Sequence, residues 1–171
     1  LLAFEAGGGR VSTVLEETDV YWVNVNGEPH FLKDGRFLWQ SERDGFNHLY
    51  LYGADGKLQA QLTKGAWEVT ALNGVDESTG TVFYTSSEVS PLGRHAYRVQ
   101  LDGSDKRQLT SGAGTHSIVM GPAAKQYLHS YSSTKSPART TIHAPDGFEM
   151  AVYREADRRV ADGYDILPTE L

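Results

Sequence analysis

The sequence predicts an all-β chain, a partial β-propeller of about three and a half blades, each of four antiparallel strands. Three observations carry that reading. The first is self-similarity: Phe37-Leu-Trp-Gln-Ser-Glu42 lines up with Phe83-Tyr-Thr-Ser-Ser-Glu88, and His48-Leu-Tyr50 with His95-Ala-Tyr97. From His48 onward the matched pairs lie 47 positions apart, as in Asp55-Gly56 with Asp102-Gly103 and Gln61 to Gly65 with Gln108 to Gly112. A weaker third copy carries Tyr127 to Ser133 and then His143-Ala-Pro-Asp146-Gly147. Repeats of roughly 40 to 50 residues made of short strands mark propeller blades. The second is the six Asp-Gly pairs (Asp34, Asp44, Asp55, Asp102, Asp146, Asp162) and two Asn-Gly pairs (Asn26, Asn73), which favour hairpin turns. The third is the absence of any sustained helical periodicity.

Taken in order, residues 1–18 read as the two outer strands of a preceding blade, turned at Gly7-Gly-Gly9. Blades follow at 19–65, 66–112 and 113–155, the last one divergent. Strand candidates are the runs 37–39, 48–52, 58–62, 82–84, 96–101 and 151–153, all rich in aromatic, branched or alternating apolar residues. The charged run from Arg154 to Ala161 is granted one helical turn at most. Residues 156–171 have linker character.

The composition narrows the function classes. At 171 residues the chain is long enough for a core. A formal charge of −6 with no basic run speaks against a nucleic-acid surface. No apolar stretch is long enough to span a bilayer, so no membrane insertion by this segment is expected. With no cysteine there is neither a disulfide nor a thiolate site. The six histidines show no metal-ligand spacing, and neither a metal nor another cofactor is expected. The start at Leu1, without Met or a signal-like segment, is expected to mark a piece of a longer protein.

The block Ser41-Glu-Arg-Asp-Gly-Phe-Asn-His-Leu-Tyr50 resembles the N-terminal propeller of bacterial dipeptidyl peptidase IV-like enzymes, in the prolyl oligopeptidase class of serine peptidases. Glu28-Pro-His-Phe31, Leu62-Thr-Lys-Gly-Ala-Trp-Glu-Val69 and Leu167-Pro-Thr-Glu-Leu171 extend the resemblance over essentially the whole chain. It implies an eight-bladed propeller followed by an α/β-hydrolase domain that holds the Ser, Asp and His triad, with Leu167 to Leu171 leading into that domain. It also implies release of N-terminal dipeptides from peptide substrates, usually with Pro or Ala second, in a periplasmic or extracellular setting. The sequence has no Gly-x-Ser-x-Gly nucleophile elbow, so no catalytic residue and no hydrolysis by this chain alone are expected.

In the family the paired glutamates that hold the substrate amino terminus lie upstream, and the surroundings of Glu16-Glu17 do not match theirs. An aromatic and a basic residue just before the Glu-Pro-His-Phe strand face the substrate cavity. Here that stretch is Trp22-Val-Asn-Val-Asn26, with no Arg, and the resemblance points to Trp22, Asn24 and Val25 as cavity-lining. Glu42, Asp44, His48, Glu88 and His95 occupy repeated positions and are expected to shape the blades. Trp22, Trp39 and Trp67 read as inter-blade core before they read as a sugar-stacking surface. The alternatives are a stand-alone propeller module that binds a protein or peptide and, less favoured, a polysaccharide-active propeller. An incomplete ring leaves uncovered apolar faces, so a homo-oligomer is expected.

Overall fold

In the computed structural model, which describes residues 1–5, 7–157 and 159, the chain forms one short ribbon and three four-stranded sheets. The ribbon pairs β1 (Leu2–Phe4) with β2 (Val11–Thr13). The first sheet is β3 (His30–Phe31), β4 (Phe37–Ser41), β5 (His48–Tyr52) and β6 (Leu58–Gln61). The second is β7 (Val69–Asp76), β8 (Thr81–Ser86), β9 (His95–Gln100) and β10 (Arg107–Gln108), and the third is β11 (Thr115–Met120), β12 (Tyr127–Ser133), β13 (Ser136–His143) and β14 (Glu149–Arg154). Each is an antiparallel meander in chain order. This is the all-β partial propeller that the repeat predicts. Most of the linker expected at 156–171 lies outside the described residues, as do residues 158, 160 and 161 of the turn expected at 154–161, whose first residue, Arg154, ends β14. Among the described residues no helix is long and apolar enough to cross a membrane.

Four hairpins share one turn. After β3, β5, β9 and β13, the residues Leu32, Gly53, Gln100 and Ala144 each accept a hydrogen bond from Gly35, Gly56, Gly103 and Gly147, and donate to the carbonyl of Arg36, Lys57, Ser104 and Phe148. In every case the Asp before the glycine accepts the N–H two residues on, at 2.8–3.1 Å. The four glycines have φ between 75° and 99°, a region that side chains disfavour. The Asp-Gly signal is thus read by the backbone as a fixed turn.

The two Asn-Gly pairs do not form hairpins. Asn26-Gly27 sits in the loop before β3, and Asn73-Gly74 lies inside β7, where the register with β8 shifts between Leu72 and Gly74. The reason at Gly74 is packing between sheets. A Cβ there would stand 3.1 Å from the Met120 side chain of the third sheet, while the Asn73 amide reaches the Ile118 carbonyl at 3.2 Å. The turn from β7 to β8 falls at residues 77–80, where Asp76 accepts from the Ser78 N–H at 3.0 Å and pairs with Lys125 at 2.8 Å.

Alternation along the strands sends each sheet's two faces into different layers. Leu38, Leu49 and Leu51 point into the core between the first and second sheets, against Val69, Val82, Tyr84, Tyr97 and Val99. Their neighbours Phe37, Tyr50 and Tyr52 face the other way, onto Leu15. In the second sheet Phe83 and Ala96 leave that core and meet Ile118, Ala124 and Tyr127 of the third segment. The three sheets therefore stack.

A histidine and a threonine clasp the inner strands of the first two sheets. The Thr63 hydroxyl accepts the Leu49 N–H at 3.0 Å and lies 3.1 Å from His48 Nδ1, whose Nε2 donates to the Gly65 carbonyl at 3.0 Å. Thr110, Ala96 and His95 repeat the first two contacts at 3.0 and 3.2 Å. The third sheet departs from the pattern. His116 Nε2 donates to the Gly112 carbonyl, which leaves its Nδ1 to accept from His129 Nε2 at 2.9 Å. His95 stacks on His116 at 4.6 Å, and His129 meets His143 edge-on at 5.2 Å.

Two tests follow from these contacts. Thr63→Val or Thr110→Val leaves a buried N–H without its acceptor, and each should lower stability by about 1–3 kcal/mol in urea unfolding, against little change for exposed Thr115→Val. Burial, reinforced by His116 and His143, depresses His129 to about 4, below an unfolded value of about 6.5. Between those values the unfolded chain binds a proton that the folded chain refuses. Stability should therefore be full above about pH 6.5 and fall as the pH drops toward about 4. His129→Gln should shallow that slope in thermal melts, and an unaltered slope would remove His129 as its source.

Candidate functional site

The segment between β2 and β3 has almost no regular structure, yet one residue pins it. Leu15 is 9% exposed and packs on Phe37, Tyr50 and Tyr52, on the face of the first sheet that turns away from the second. A Cβ at Gly56 would collide with the Val14 carbonyl, so the β5–β6 turn also closes on this segment. The next residues are delivered to the β4–β5 turn. There Glu16, Glu17, Thr18, Asp19, Trp22, Val23, Asn24, Ser41, Glu42 and Arg43 line an open pocket of about 250 Å³.

Two hydrogen-bonded groups build its walls. On one side the Ser41 hydroxyl and the Arg43 guanidinium both donate to Glu17 Oε1, the latter at 2.5 Å. Arg43 Nε also reaches Ser41 Oγ at 3.0 Å, and the guanidinium lies 4.5 Å above the Tyr50 ring. Burial is the largest influence on Arg43 and opposes its charge, but the hydrogen bonds and charges of Glu17 and Tyr52 together outweigh it and raise the pKa. On the other side Asp19 accepts the N–H groups of Tyr21 at 2.8 Å and Trp22 at 3.2 Å, which holds its carboxyl below the usual range.

From Trp22 a chain of bonds runs inward. Its indole N–H donates to Asn24 Oδ1 at 2.8 Å, and Asn24 and Asn26 donate to the two oxygens of Glu42 at 2.8 and 3.0 Å. Asn26 also donates to Asn47 Oδ1 at 3.3 Å, and Asn47 donates to the Val69 carbonyl at 2.6 Å, in the seam between the first two sheets. The pocket is thereby tied to the core.

Of the residues singled out in the sequence, Trp22, Asn24 and Glu42 meet here. Val25 is 77% exposed and is not among the lining residues. Asp44 accepts from Gln61 at 2.7 Å on the exposed turn, Glu88 pairs with Lys106 at 2.6 Å, and His48 and His95 are buried within their sheets. Glu16, Asp19, Ser41 and Arg43 were not legible as a site. They are 22 or more positions apart across the two groups, and the fold joins them through the Leu15 anchor and the bonds of Glu17, Asn24 and Asn26 to the β4–β5 turn. The arrangement offers carboxylates, a guanidinium, an indole and an amide, groups that hydrogen-bond and hold charge. Among the described residues no three His, Asp or Glu side chains are arranged to hold a metal ion.

Comparison with known proteins agrees with this architecture. Residues 1–138 match the family described as the dipeptidyl peptidase IV (DPP IV) N-terminal region. The chain is 36% identical over 124 residues to a probable dipeptidyl-aminopeptidase B of Coccidioides posadasii, covering 70% of this chain and 13% of that protein. It is 30% identical over 153 residues to a dipeptidyl peptidase 4 of Arthroderma otae, covering 81% and 19%. The crystal structure of Porphyromonas gingivalis dipeptidyl peptidase 4 superposes with a TM-score of 0.84 at 29% identity, over 94% of this chain and 22% of that one. The chain thus spans less than a fifth of the length of these two curated relatives. With three stacked antiparallel sheets and a family match over most of its residues, this chain belongs to the dipeptidyl peptidase IV N-terminal region family.

Proposed function

We propose that this chain is a non-catalytic part of the propeller of a serine-type dipeptidyl peptidase. Its role is to wall and gate the route by which peptide N-termini reach an α/β-hydrolase domain carried elsewhere in the native polypeptide. The observation that supports this best is the fit of 94% of the chain onto about a fifth of a solved dipeptidyl peptidase 4. The sequence without a nucleophile elbow supports a binding role for this portion. The Asn47 and Asn73 amides cross-link neighbouring sheets, which supports a walling role. Trp22 and Asn24 belong to the peptide-facing surface, with Val25 beside them. The stand-alone binding module remains the competing outcome of the test.

Apolar side chains stay uncovered at the two ends of the stack. Phe4 and Val11 at one end, and Phe148, Met150 and Tyr153 at the other, are each at least half exposed. On its own the chain should therefore self-associate through these ends.

Two measurements check the proposal. The native protein should release the dipeptide from an Ala-Pro anilide with a free amine and leave the N-acetylated form intact, while residues 1–171 alone release nothing. Absence of release by the native protein would leave the binding-module reading. In light scattering at micromolar concentration the isolated chain should show mass above one copy, and a strict monomer would end the self-association claim.

A further inference from the structure

The geometry points to a specific ligand for the pocket at the β4–β5 turn: the guanidinium of an arginine side chain in a bound peptide. That the arginine comes from a peptide rests on the function proposed above, whereas the pocket's chemistry stands by itself.

Charge is the first argument. Four carboxylates (Glu16, Glu17, Asp19 and Glu42) and one guanidinium (Arg43) line the pocket, a net formal charge of −3. Arg43 is committed to Glu17. Among the described residues, Glu16, Asp19 and Glu42 make no ion pair. A concave site with one sign of charge concentrates the opposite charge.

Preorganisation is the second. Glu42 does not swing freely, because Asn24 and Asn26 each hold one of its oxygens. Each oxygen keeps a second lone-pair direction, and a planar guanidinium matches such a pair of oxygens. The Trp22 indole is 75% exposed, and its N–H is already satisfied by Asn24, so its face is what it offers a ligand. Cations bind over indole faces more strongly than over other rings.

The third is that the chain displays this chemistry with its own side chain. Arg43 lies between a carboxylate, Glu17, and an aromatic face, Tyr50 at 4.5 Å. Glu42 and Trp22, bridged by Asn24, supply the same two kinds of group to the pocket, and among the described residues Glu42 has no ion-pair partner. Arginine suits that pair better than lysine, because its flat, weakly hydrated head stacks and hydrogen-bonds at once.

The test compares N-acetyl-arginine amide with N-acetyl-citrulline amide, which has nearly the same shape and no charge, in calorimetric titrations of this chain. The arginine amide should bind roughly tenfold tighter or more, with the preference shrinking as salt is raised. Glu42→Gln and Trp22→Ala should each remove most of it, and Asp55→Asn, outside the pocket, should leave it unchanged. Both key side chains lie outside the hydrophobic clusters, so a folded variant is expected, and circular dichroism verifies it. Equal affinity for the two amides, or a preference that survives both substitutions, overturns the proposal and leaves a solvated acidic loop. Dipeptide release by the native protein separates the two claims: binding without release keeps the pocket and sinks the peptidase reading, and release without an arginine preference does the reverse.

Discussion

Everything in this chain depends on one constraint: a strand shows successive side chains to opposite faces, and here both faces of the inner strands are apolar. In β5 all five residues are buried, with Leu49 and Leu51 on one side and Tyr50 and Tyr52 on the other. A sheet of that kind is stable only between two covers. The second sheet supplies one and the Leu15 segment supplies the other. The second sheet is itself two-faced, since Val82 and Tyr84 turn one way and Phe83 the other, and so it requires the third. Stacking is the consequence of alternation.

The pocket inherits its rigidity from the same arrangement. Leu15 is needed as a cover for Phe37 and Tyr52, and its burial places the nearby Glu17 against Ser41 and Arg43. The hydrogen bonds from Trp22 to Val69 then couple an exposed indole to the seam where the largest cluster begins. An exposed loop with few apolar contacts of its own is thus held by both ends. Its polar groups are positioned without a helix or strand to carry them.

Much of this was written in the residues. The 47-residue spacing of His48 and His95, and of Thr63 and Thr110, reports equal positions in consecutive sheets, because a meander of fixed turn length repeats its register. The Asp-Gly pairs reported turns for the same reason. Asn73-Gly74 misled because a glycine is also required where another sheet comes close, and local sequence does not distinguish a turn from a close approach. The pocket was legible only in part. Trp22 and Asn24 stood next to a recognisable strand, but the charges opposite them became neighbours through a buried leucine and the bonds to the β4–β5 turn, and nothing in their own spacing announces it. The histidines of the third sheet were equally opaque, since their ring-to-ring contacts run across β11, β12 and β13, away from the repeated His and Thr positions.

The four identical turns have an evolutionary reading. Each closes its hairpin with the same backbone bonds, the same aspartate and the same glycine conformation, whatever flanks it. A duplicated stretch of gene would therefore carry its own register with it and need no adjustment at the joins. Side chains on the strands could then drift while the scaffold stayed in phase. The hairpins are interchangeable parts, and the diversity of the sheets is what that standardisation permits.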